Sequence, residues 1–146
     1  MAHPHRDALL GGWQVVAAYV VLQDTGERSD LYGKAPRGQA VFSPSGRMVS
    51  LMLSSDREHS ETDAGKAALF RSMMTYAGAY DVDGETFTTH VDIAWEPSWE
   101  GTRQVRYYTL ADGKLSVRSA PMDHPLFPGR KTVAHVEWVR LGDRAG

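Results

Sequence analysis

The sequence predicts an all-β protein, an eight-stranded antiparallel up-and-down barrel with one short helix. Three observations lead there. Eight runs of strand length carry apolar residues and are separated by turn chemistry. Three of the connections, Ser43-Pro44-Ser45-Gly46, Asp83-Gly84 and Asp112-Gly113, place a glycine where a tight hairpin needs positive φ. Gly11-Gly12-Trp13 opens the first run, and Trp138-Val139-Arg140 ends the last. The first and last strands of a barrel are neighbours, so an aromatic slab on one can meet a cation on the other and close one end.

The elements follow in order. The first strand is Trp13 to Leu22, with Gly38 to Phe42 second and Arg47 to Leu53 third. Tyr76 to Val82 and Thr86 to Ala94 flank Asp83-Gly84; Arg103 to Leu110 and Lys114 to Ser119 flank Asp112-Gly113; Lys131 to Leu141 is the eighth strand. Between the third and fourth strands, Ser60-Glu61-Thr62-Asp63 reads as a helix start. Ala64, Ala67, Ala68, Phe70, Met73 and Met74 then recur at helical spacing, so a helix is expected over 61–74, as a lid or plug at a barrel end or as a gate. The long connections Asp24 to Arg37 and Ala120 to Arg130 suit the rim of a pocket. Residues 1–146 read as a single domain, with 1–8 a flexible tail.

Composition narrows the function classes. The chain of 146 residues is long enough for a real core, and its net charge of −2 comes from mixed signs without a basic block. Nucleic acid and membrane are therefore not expected partners. The absence of cysteine excludes disulfides, thiolate metal sites and cysteine nucleophiles. The start lacks an apolar run of signal-peptide length, and a cytoplasmic protein is expected. No cofactor is expected, because no glycine-rich phosphate loop opens a helix. No metal is expected either: His3 and His5 sit in the tail, and Asp56-Arg57-Glu58-His59 reads as a solvated loop.

The residues also resemble the bacterial and fungal lipocalin-like domain family over nearly the whole chain. The resemblance rests on Leu10-Gly11-Gly12-Trp13, on Tyr32-Gly33 through Pro36 and Gly38, and on Ser45-Gly46-Arg47-Met48. It continues in Tyr76-Ala77-Gly78-Ala79-Tyr80, Thr89-His90-Val91, Pro97 with Gly101, Arg106-Tyr107, Leu115 and Trp138-Val139-Arg140. Gly12 stands where such proteins often carry threonine. The resemblance implies a barrel with an internal cavity, and by analogy a small-molecule role in secondary metabolism. It implies no reaction.

Candidate site residues come from the strand faces. On the fifth strand one face holds Phe87, Thr89, Val91, Ile93 and Trp95, and the other holds Thr88, His90, Asp92 and Ala94. The ordinary rule turns the apolar face inward. A ligand barrel can do the reverse, and the polar face Gln104, Arg106, Tyr108 on the next strand favours an inward His90. His90 would then be a general acid or base, Arg106 an oxyanion or carboxylate anchor and Tyr108 an auxiliary donor. That set suits a cofactor-independent isomerisation, cyclisation or elimination; the competing reading is a satisfied structural network. Met48, Ser50, Met52, Tyr76, Tyr80, Trp95 and Trp138 are the expected ligand wall, with barrel core as the competing reading for each.

The expected ligand is small and apolar or aromatic. A non-catalytic carrier is one alternative. Another is a filled barrel acting as an interaction module or homodimer: if Trp13 faces inward, Val16, Ala18, Val20 and Leu22 form an apolar outer stripe.

Overall fold

The computed structural model describes residues 4–123 and 127–142. Its strands are β1 (Gly11–Leu22), β2 (Arg28–Asp30), β3 (Arg37–Phe42), β4 (Arg47–Leu53), β5 (Met73–Asp83), β6 (Thr86–Ala94), β7 (Arg103–Ala111), β8 (Lys114–Arg118), β9 (Met122–Asp123) and β10 (Lys131–Arg140). All pairings are antiparallel, and β1 pairs with β10 from Trp13↔Arg140 to Leu22↔Thr132. That pairing closes eight strands into a barrel without a free edge. The two short strands lie in the long connections. β2 bonds to β1 beyond the reach of β3, and β9 bonds to β10 beyond the reach of β8. No helix among the described residues is long and apolar enough to cross a membrane.

The connections sort the barrel into two ends. All three tight hairpins lie at one end, with Gly46, Gly84 and Gly113 at φ of 91°, 60° and 75°. This end also receives the start of β1 and the end of β10. The connections β1–β3, β4–β5, β6–β7 and β8–β10 all lie at the opposite end. The short-turn end is shut by aromatic packing. Phe42 meets Tyr80 and Phe87 edge-on at 5.1 and 5.3 Å, and Phe87 leans on Tyr108 at 5.8 Å. Arg140 lies over the Trp13 ring at 4.0 Å, the expected closure.

The segment read as a flexible tail instead holds a short helix, α1 (Pro4–Leu9), against the closed end. Leu9 is fully buried, and its carbonyl accepts the Trp13 indole N–H at 2.9 Å. Arg140 donates to the carbonyls of Leu10 and Ala8 at 2.6 Å each, so one guanidinium pins both the helix and the ring. His3, expected in the same tail, lies outside the described residues.

Two expectations about β1 and β6 are corrected. Val16, Ala18, Val20 and Leu22 do not form an outer stripe. The β1–β10 register slips between Val15 and Ala17, a bulge at Val16 that turns Ala17 outward and resets the alternation. Trp13 and Val15 point inward before the bulge, and Ala18, Val20 and Leu22 point inward after it. On β6 the ordinary rule holds as far as Val91: Phe87, Thr89 and Val91 are buried and His90 faces outward, but a register shift opposite Ala77 and Gly78 turns Ile93, expected on the same face as Phe87, outward. Directly paired residues share a face. Phe87 pairs with Arg106 and Thr89 with Gln104, so the inward polar residues of β7 stand beside the apolar face of β6.

The second helix, α2 (Asp63–Arg71), is shorter than the expected 61–74. Thr62 caps it by accepting the Gly65 N–H at 3.0 Å. Met73 and Met74 leave the helix because they pair with Leu53 and Met52 as the first residues of β5. α2 lies at the long-loop end and buries none of its residues, so it does not plug the barrel.

Candidate functional site: the barrel cavity

The half of the barrel toward the long loops contains a cavity of about 160 Å³. Its floor is the inner side of the aromatic plug, Phe42 and Phe87, with Leu115 and Trp138 beside them. Met48, Ser50 and Met52 line one wall at alternate positions of β4, because period-two alternation sends all three inward. Ala134, Val136 and Trp138 do the same on β10. Leu31, Tyr32, Met74, Trp99 and Met122, from the long connections or from strand residues next to them, line the rest with Tyr76. Methionine is adaptable and the surface is mainly apolar, as in many small-molecule sites. An apolar cavity of about 150 Å³ is large enough to bind a small aromatic molecule, and this one is of that order.

The expected wall is divided by the structure. Met48, Ser50, Met52, Tyr76 and Trp138 line the cavity. Tyr80 does not: it is buried in the closed end, and its hydroxyl donates to the Ser43 carbonyl at 3.1 Å, tying down the first tight hairpin. Trp95 also stays outside the wall. It sits at the long-loop end, 5.1 Å from Trp99 and 6.5 Å from Phe70 of α2.

The expected catalytic set does not converge. His90 lies on the outer face with Nε2 2.8 Å from the Asp81 carboxylate. Tyr108 faces inward, but its hydroxyl donates to the Gly84 carbonyl at 3.1 Å, which holds the second tight hairpin. Of the three, Arg106 alone reaches the cavity. Among the described residues that line it, Arg106 is the only charged side chain.

Arg106 is held in place by neutral groups. Its two terminal nitrogens donate to the Val105 carbonyl at 2.9 Å and to Gln104 Oε1 at 3.0 Å. Gln104 Nε2 donates to Thr102 Oγ1 at 2.9 Å, and that hydroxyl donates to the Trp99 carbonyl at 2.6 Å. The relay fixes the guanidinium relative to the turn that carries Trp99. Tyr76 lies 5.4 Å from the Trp99 ring. Burial pushes the Tyr76 hydroxyl pKa up, and the Arg106 charge partly offsets this. Burial also raises Tyr32, with a smaller contribution from Tyr76. Both tyrosines therefore stay protonated as donors well above neutral pH.

Sequence reasoning overlooked Tyr32 as a cavity residue. Tyr32 stood in view as part of Tyr32-Gly33, but nothing in a loop sequence says that its ring folds back over the barrel. Its φ of 59°, unusual for a bulky residue, followed by Gly33 at 78°, makes that turn. Thr89 is a further surprise. It is fully buried, and its hydroxyl has no hydrogen-bond partner among the described residues.

The family model of the lipocalin-like domain matches residues 10–141 of this chain. The match covers every strand of the barrel, and the chain belongs to that family. No curated protein matches it.

Proposed function

We propose that this lipocalin-like domain binds one small, largely apolar or aromatic molecule inside its barrel. The observation that carries the reading is the asymmetry of the interior. Aromatic packing shuts the short-turn end, while about 160 Å³ beneath the long loops is lined by adaptable apolar side chains. Calorimetric titration with indole, a neutral ring of fitting size, tests it. Saturable one-site binding in the wild type, lost in Ser50→Phe, is expected. Ser50 is buried on the cavity wall, so the larger ring would occupy the ligand's place. Absence of saturable binding of indole and of small aromatic acids and amides alike to the wild type overturns the reading.

Binding without turnover is the form best supported. Proton-transfer chemistry near neutral pH calls for a group such as an imidazole or carboxylate at the reacting atom. The described lining offers neither, and His90 is separated from the cavity by the sheet itself. A carrier or sequestering role fits that lining better than an isomerase, cyclase or lyase.

Self-association has its own supporting observation. On the outer face Val41 pairs with Val49, Val49 with Ala77 and Ala77 with Ile93, an apolar row across β3 to β6. Val41, Val49 and Ile93 are 44%, 48% and 61% exposed. A homodimer through this row is compatible with ligand binding inside. Solution mass of the wild type against Ile93→Lys decides it, a dimer reverting to monomer being the supporting result.

A further inference from the structure

The cavity has one polar corner, and that corner lacks a counter-charge. Arginine remains charged in proteins and carries five N–H donors. Arg106 satisfies two of them on neutral oxygens, Val105 O and Gln104 Oε1. The other three have no partner among the described residues, and no carboxylate there forms an ion pair with Arg106. Arg106 is half-buried, so a ligand that displaces water from its guanidinium must offer negative charge or acceptors in exchange.

The neighbouring hydroxyls show the same pattern. Tyr80 and Tyr108 donate to backbone carbonyls at the closed end. Tyr76 and Tyr32 line the cavity, and their hydroxyls have no hydrogen-bond partner among the described residues. Tyr76 is almost fully buried. Three donor groups on separate elements, one charged and two neutral, therefore border one small apolar space.

We propose that the cavity selects a small aromatic or apolar monocarboxylate, its carboxylate taken by the Arg106 guanidinium with help from the Tyr76 and Tyr32 hydroxyls. The apolar body of the ligand lies against Met48, Met52 and Trp138. A monocarboxylate fits because one positive charge neutralises it. A phosphate dianion would bring a second negative charge into an apolar space that has no cation for it. The relay from Trp99 through Thr102 and Gln104 holds Arg106 in position before the ligand arrives, which lowers the ordering cost of binding. This inference rests on the container reading given above and names its ligand class.

The test compares trans-cinnamate with cinnamamide, which has the same shape without the charge, by calorimetric competition against indole. Cinnamate is expected to bind the wild type at least tenfold tighter than the amide. In Arg106→Gln that ratio is expected to fall close to one, while affinity for indole and for the amide is retained. Tyr76→Phe is expected to lower the ratio several-fold. Retained indole binding shows that each variant keeps its barrel. Equal affinity for acid and amide in the wild type overturns the carboxylate site and leaves the container reading standing. A preference for the acid that persists in Arg106→Gln overturns the assignment to this residue. Failure of the wild type to bind indole, cinnamate and cinnamamide alike removes both readings.

Discussion

A tyrosine's role in this barrel depends on what its hydroxyl meets. Tyr80 and Tyr108 hold hairpins, whereas Tyr76 and Tyr32 present theirs to the cavity. The four are indistinguishable as residue types, so the sequence reading grouped Tyr76 with Tyr80. Thr89 offers a cleaner test at this scale. Its buried hydroxyl has no partner, so Thr89→Val removes an unsatisfied group at nearly constant volume. Chemical denaturation is expected to show a gain of about 1 kcal/mol; a loss of that size would mean that the hydroxyl has a partner in solution. His135 gives a pH signature. It stacks on Tyr19 at 5.0 Å on the outer face, with Arg118 and Arg28 opposing its protonation and Glu137 favouring it. Burial, then Arg118, holds its pKa below the ordinary 6.5. The unfolded chain therefore takes up this proton first. The contribution is fully present above pH 6.5 and is lost as pH falls through 6.5 to the folded value. His135→Phe, which keeps the stacked ring, is expected to flatten the fall in melting temperature over that window. An unchanged slope would assign the acid loss elsewhere.

At the scale of elements, most strands were legible because period-two alternation and Gly-containing turns are local signals. The Trp13–Arg140 closure was legible for a topological reason: first and last strands must meet in a closed barrel. Arg140→Ala removes two hydrogen bonds and the stacking on Trp13, and is expected to cost about 2 kcal/mol by denaturation. A loss within error of zero would show that α1 holds the closed end without it. Bulges were not legible. The extra residue at Val16 inverts the faces of the rest of β1, and no residue type announces it. Gly78, between Tyr76 and Tyr80 on β5, lies against the backbone of β6. A β-carbon there would lie 1.9 Å from the His90 carbonyl oxygen. Gly78→Ala is expected to destabilise by at least about 2 kcal/mol, since a strand rather than a side chain must move.

For the whole molecule, the decisive quantity is which face of each strand points inward. Composition and patterning indicated a container. Local alternation turned the apolar face of β6 inward, but the polar face of β7 argued the reverse; only the pairing of Phe87 with Arg106, a non-local property, shows that both faces look inward together, and with it went the acid–base role expected of His90. What remains legible is the division of labour between ends: short turns with aromatic packing close the barrel, and long loops frame the cavity. The central claim is that a ligand enters this interior and does not lodge on the apolar outer row. Methyl and indole NMR shifts during titration with indole test it most directly. Met48, Met52 and the Trp138 side chain, all on the cavity wall, are expected to shift together and saturate. Shifts confined to the outward-facing Val41, Val49 and Ile93, with the interior unmoved, would contradict it.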